Sequence, residues 1–232
     1  MALASDGASV TLLVRDRASG EALQSRIHGN SNVVTADVVN EEAVNTACAA
    51  AVVKLGPVNI LVNNAGSAES APFVRTDGAM FARMLAVHLY GPLYCTHAVL
   101  PAMLDAGYGR IVNVASVAGL SGAPYITAYS SAKHALVGLT RSLAKEVIAQ
   151  GVTVNAVCPS YTETDMVATS IERVRARTGR SAEEARAALL AHNPLKRLVL
   201  PTEVAAAVRW LCTDGAASTT GQTIIIDGGE LA

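Results

Sequence analysis

The sequence is short of the features that mark several large classes of protein. Only 16% of its 232 residues are charged, and 18 Lys and Arg nearly balance 19 Asp and Glu, for a net charge of −1. A chain that grips nucleic acid by its phosphates carries a basic excess, so that class of partner is not expected. The four cysteines, Cys48, Cys95, Cys158 and Cys212, form no C-x-x-C and no His/Cys cluster. They read as free thiols of a reducing compartment, and a metal site is not expected. No stretch reaches the roughly 18 unbroken apolar residues of a membrane span, and the start has no basic segment followed by an apolar one. A soluble, cytoplasmic chain is therefore expected. What the sequence has in quantity is apolar residues, 51% of the total. That is enough for a sizeable core, and the length fits one α/β domain over 1–232.

Short apolar runs alternate with longer helical stretches. Segments 9–14, 33–36, 59–63, 110–115, 153–157 and 223–227 read as strands buried on both faces, as in a parallel sheet. Helical patterns cover 41–55, 78–105, 125–150 and 202–212. This alternation predicts a doubly wound, Rossmann-like parallel sheet flanked by helices. Ligands on such a sheet bind beyond the carboxyl ends of the strands. Residues 165–201 interrupt the rhythm with two short helices, the second opened by the capping box Ser181–Glu184. An excursion of this length reads as a lid over a site.

Chemistry-bearing residues gather at that edge. In "AYSSAK", Tyr129 and Lys133 stand four apart on one helix face. "NVASVAG" puts Ser116 at the end of a strand, "NNAG" (63–66) closes another, and "CPSYTETDM" (158–166) a third. Read alone, Tyr129 and Lys133 could be an exposed pair, and Ser116 a hydroxyl that caps the next turn.

In their order and spacing, these pieces resemble the short-chain dehydrogenase/reductase family, together with "GASVTLLVRD", "ADV" (36–38), "GRIVNVASVAG", "VTVNAV" and "TGQTIIIDGG". The likeness spans essentially the whole chain and leans toward 3-oxoacyl-(acyl-carrier-protein) and 3-hydroxyacyl-CoA reductases. It implies hydride transfer between a nicotinamide and a carbonyl or secondary alcohol. Tyr129 would be the proton donor in reduction, and Lys133 would favour its phenolate and hold the nicotinamide ribose. Ser116 would hydrogen-bond the reacting oxygen. His88 stands where the family has a proton-relay asparagine, either in that role or as a packed helix residue.

The resemblance assigns Asp37, Val38, Asn64, Ala65 and Gly66 to the adenosine end of the cofactor, and Thr162 and Thr164 to the carboxamide. Ser160 replaces a family glycine. Val14 occupies the place of an acid that would select NAD, and Arg15 follows. A guanidinium pairs well with phosphate, so NADP is expected, with NAD the alternative.

Two further expectations concern assembly and the start. Helices 78–105 and 125–150 resemble the family's oligomer contacts, and imply a homotetramer or dimer. "MALASDGASV" reads as a helix end, a turn at Asp6-Gly7, and a strand. In the family a first strand and a loop Thr-Gly-x-x-x-Gly-x-Gly precede such a segment. The sheet is expected to lack that strand, and diphosphate binding to be weakened. The resemblance thus leaves two functions open: a ketoreductase acting on a 3-oxoacyl thioester or similar ketone, or a non-catalytic member that serves as an oligomeric scaffold.

Overall fold

The computed structural model describes residues 1–191 and 193–232, with the side chain of Arg177 outside the described set. All six expected strands are present: β1 (Val10–Val14), β2 (Ser31–Thr35), β3 (Ile60–Asn63), β4 (Gly109–Val114), β5 (Val152–Pro159) and β6 (Thr223–Ile226). Every pairing is parallel. They form a two-stranded sheet, β1-β2, and a four-stranded sheet, β3-β4-β5-β6.

Helices α1 (Ala2–Ser5), α2 (Arg17–Gln24), α3 (Glu41–Leu55), α4 (Gly78–Leu85), α5 (Gly91–Ala106), α6 (Thr127–Val147), α7 (Asp165–Thr178), α8 (Ala182–Leu189) and α9 (Pro201–Leu211) connect and flank them. Successive strand residues face opposite layers, as the two-residue period of a strand requires. Ile111, Val152 and Val154 pack on Val99 and Met103 of α5 and on Ala144 and Val147 of α6. Their neighbours Val112 and Val157 turn to Val208 and Leu211 of α9 on the other side. Full burial of such a side chain contributes about 1.5–3 kcal/mol, so β4 and β5 anchor the fold.

β1 and β3 differ from these two. Their residues are mostly half-buried, whereas β4 and β5 are buried almost throughout. Among the described residues no strand pairs with the free edge of either, in line with the expectation of a sheet short of one strand. Leu13 of β1 and Leu61 of β3 still meet, through a shared cluster of Val38, Val44 and Cys95 with α3 and α5. The free edges border the cavity that also holds the site.

Two readings of the helices change. Residues 78–105 do not form one regular helix: a π-helical turn, Ala86–Tyr90, separates α4 from α5, and His88 sits in it. Such wide turns recur at functional sites. Helix α2 follows β1 unforeseen, its first turn capped by Asp16, which accepts from the Ser19 amide at 2.8 Å. Over 165–201 the two expected helices are present, and the Ser181–Glu184 capping box closes in both directions.

Candidate active site

Three strand ends build one wall. β4 delivers Ser116 in extended conformation, and a 3₁₀ turn, Val117–Gly119, carries the chain toward α6. Gly119 makes that path possible: a Cβ there would lie 2.8 Å from the Lys133 carbonyl oxygen. Gly119→Ala is expected to push the turn off α6 and to cost about 1–3 kcal/mol, read as a lower denaturant midpoint with an unchanged slope; an unchanged midpoint would contradict the contact. On α6 the apolar face Ala128, Ala132, Leu136 and Val137 seats the helix, which turns Tyr129 and Lys133 toward β4. Ser116, Tyr129, Lys133 and His88 all line one cavity of about 1620 Å³, with Val38, Asn64, Ala65, Gly66, Thr162 and Thr164.

Lys133 is buried and donates from Nζ to the Val114 carbonyl at 2.8 Å. Its Nζ lies 5.7 Å from the centre of the Tyr129 ring. Burial lowers the ammonium to about 8, so it remains mostly charged at neutral pH. The Tyr129 phenol behaves contrary to expectation: burial pushes it above the ordinary tyrosine value, and the Ser116 hydroxyl beside it only partly opposes this. The reason is desolvation, which penalises a phenolate more than its polar neighbours favour it. Ser116 Oγ accepts from the Ala118 amide at 3.1 Å and approaches the Pro159 carbonyl at 3.5 Å.

His88 stands edge-on to Tyr129, with ring centres 5.2 Å apart and planes at 88°. Its Nε2 lies 2.7 Å from the Ser67 carbonyl, which can only accept, so Nε2 carries the proton and Nδ1 is bare. Nδ1 is buried without a partner. Burial first, then the Lys133 charge, lowers this imidazole to about 3, against a smaller upward pull from the Ser67 carbonyl. His88 is therefore a neutral acceptor at physiological pH.

Other expected positions separate. Arg15 and Asp37 are exposed and do not line the cavity, and Asp37 instead accepts from the Val39 amide at 3.2 Å. Thr162 and Thr164 reach the cavity, but their hydroxyls donate to the carbonyls of Ser160 and Thr162 at 3.0 and 3.2 Å. The lid's cations are largely engaged: Arg175 with Glu172, Arg197 with Glu203, and Lys196 with the Ala191 carbonyl. Arg186 stands 4.0 Å from Glu163. Arg173 lines the cavity and donates to the Ala68 carbonyl at 3.2 Å. The side chain of Arg177, also on α7, lies outside the described set.

The sequence reading passed over a buried polar ladder beneath the wall. Asn63 donates to Asn113 at 2.9 Å, Asn113 to Thr140 at 2.9 Å, and Thr140 to the Leu136 carbonyl at 2.8 Å. It ties β3, β4 and α6 into one register, and its signal was the asparagines inside otherwise apolar strands. Tyr125 was passed over too. It lines the cavity with φ at 70°, a conformation that a bulky residue holds only under tertiary constraint.

A parallel α/β sheet with this wall at its carboxyl edge has the architecture of an oxidoreductase, and the comparisons agree. A family model described as Enoyl-(Acyl carrier protein) reductase matches residues 1–230. The chain is 35% identical to a 3-oxoacyl-[acyl-carrier-protein] reductase of Synechocystis over 99% of its own length and 89% of that protein. It is 40% identical to a protein of Xanthobacter autotrophicus named inactive 2-(S)-hydroxypropyl-CoM dehydrogenase 2, over 97% of this chain and 96% of that one. A crystal structure of a tryptophan variant of actinorhodin polyketide ketoreductase with NADPH superposes with a TM-score of 0.94 at 34% identity, covering 99% of this chain and 90% of that one. The chain belongs to the short-chain dehydrogenase/reductase family. Among the described residues no helix is long and apolar enough to cross a membrane.

Proposed function

We propose that the chain is an NADP-dependent ketoreductase that reduces a 3-oxoacyl thioester or a similar ketone. The observation that carries the reading is the convergence of Ser116, Tyr129 and a buried, cationic Lys133 on one cavity wall. The reduced nicotinamide, when bound, supplies the hydride. Tyr129 gives its proton to the carbonyl oxygen, and its raised pKa keeps that proton in place at neutral pH. The Ser116 hydroxyl holds the same oxygen as charge develops on it. Lys133 keeps a positive charge beside the phenol and would hold the nicotinamide ribose.

The residues fit the two ends of the cofactor better than its middle. Asn64, Ala65, Gly66 and Val38, which line the cavity at strand ends, would floor the adenosine, and Thr162 and Thr164 would edge the nicotinamide end. The cavity flank between them is β1 and β3, apolar, without a glycine-rich helix start among the described residues. Arg15, exposed just beyond β1, is free to meet a ribose 2′-phosphate. Arg15→Asp is expected to lower the ratio of kcat/KM for NADPH over NADH by about tenfold or more, since an acid repels that phosphate. An unchanged ratio would remove Arg15 from the site.

The test of function is NADPH oxidation by the purified chain with acetoacetyl-CoA, with the 3-hydroxy product measured. Arg173, exposed and lining the cavity, would attract the thioester's phosphates, so the preference over a neutral ketone of similar size should fall as salt rises. A second reading, a non-catalytic oligomeric scaffold, is favoured by the similarity to a relative named as inactive. It predicts neither nicotinamide fluorescence enhancement nor turnover. Both readings take the chain as a cytoplasmic homotetramer or dimer, for which light scattering gives the mass.

A further inference from the structure

The turn after β6 brings a carboxylate to the cavity wall. Asp227 builds the turn: Oδ1 accepts from the Gly229 amide at 2.9 Å and Oδ2 from the Leu231 amide at 2.8 Å. Asn193, buried at the returning foot of the lid, clamps it. Asn193 Nδ2 donates to the Asp227 carbonyl at 2.8 Å and to Glu230 Oε2 at 3.4 Å. The buried Ser160 hydroxyl donates to the same Oε2. Ser160 directly follows Pro159, whose carbonyl is the one approached by Ser116 Oγ. Glu230 is thus pinned a short step from the reacting end of the cavity, which it lines.

Both groups bonded to this carboxylate are neutral. Among the described residues no Lys, Arg or His forms an ion pair with it. Its charge therefore has no direct ion-pair partner, in a partly enclosed space where charges are felt more strongly than in water. The neighbouring Tyr161 registers this: burial first, and then Glu230, raise its phenol, and Tyr161 in turn acts on Tyr129.

We propose that Glu230 is a specificity-determining residue, whose negative charge disfavours substrates with a carboxylate one methylene from the reacting carbonyl and admits the corresponding neutral esters, thioesters and amides. Rejection of a like charge is a recognised route to selectivity. The inference rests on the ketoreductase reading, and names what that site refuses.

The test compares acetoacetate, the anion, with methyl acetoacetate, its neutral counterpart, in the wild type, E230Q and E230D. Glutamine keeps an acceptor for Ser160 and Asn193 while it removes the charge. The ratio of kcat/KM, anion over ester, should rise about tenfold or more in E230Q at low salt, and return toward the wild-type value in E230D. Calorimetric binding of acetoacetate against acetoacetamide gives a readout that needs no turnover, and the same relative gain is expected there. Equal ratios in the wild type and E230Q, by rate or by binding, overturn the role of Glu230. Absence of NADPH oxidation with every substrate and variant would instead count against the ketoreductase reading, and calorimetry would still decide for or against Glu230.

Discussion

Tyr129→Phe is expected to lower carbonyl reduction by roughly 10²–10⁴-fold, the usual contribution of a positioned general acid, with little change in melting temperature. The ring of Tyr129 packs with Met84, Ala128 and Ala132 and meets His88 edge-on, and phenylalanine keeps all of these contacts. What is lost is the hydroxyl, with its transferable proton and its interaction with Ser116. Because burial raises the phenol above its ordinary value, the free chain holds Tyr129 protonated throughout the neutral range. Reduction should then be flat with pH around neutrality, while the reverse oxidation, which needs the phenolate, should climb toward alkaline pH. A variant that keeps more than a few per cent of wild-type turnover would show that the acid is another group.

The wall of the candidate site was legible because it is local. Tyr129 and Lys133 share a helix face through a four-residue spacing, and Ser116, "NNAG" and "CPSYTETDM" each end a run whose apolar composition marks a strand. The six strands were legible for the same reason. Helix α2 was not, because Gly20 sits in its middle and lowers helix propensity. The structure gives the reason for that glycine: a Cβ there would meet Val14 at 2.7 Å and Val33 at 2.8 Å, so the helix can cross β1 and β2 only without one. The π-helical turn at His88 was hidden in a pattern that looked continuous. The direction of the Tyr129 shift was missed too, since it depends on how much burial outweighs the Ser116 hydroxyl. Spacing along a chain carries no measure of desolvation. The Glu230–Ser160–Asn193 clamp joins residues 37 and 70 positions apart, beyond the reach of any periodicity.

His88 should govern how the fold responds to acid. In an unfolded chain its imidazole titrates near 6.5, and in the fold burial and Lys133 lower it to about 3. Above 6.5 both states are neutral there and pH has no effect through this group. As pH falls from 6.5 toward 3 the unfolded chain takes up a proton that the folded chain refuses, and stability is lost at about 1.4 kcal/mol per pH unit, reaching about 5 kcal/mol. His88→Gln keeps an amide N–H for the Ser67 carbonyl and does not titrate. It also forfeits the edge-to-face contact with Tyr129, a loss of about 0.5–1.5 kcal/mol, so at pH 7 the variant should be the less stable. The carboxylates whose pKa values are lowered in the fold, Asp6, Asp16, Glu69, Glu184 and Glu203, weaken both proteins alike in acid and cancel in the comparison. The two stability curves should therefore converge below pH 6.5 and cross before pH 4.5, with the variant the more stable beyond that point. Urea titrations at pH 7, 5.5 and 4.5 measure this. Curves that stay parallel from pH 7 to 4.5 would mean that His88 takes its proton in the folded state, and that its Nδ1 is not a bare acceptor beside Tyr129.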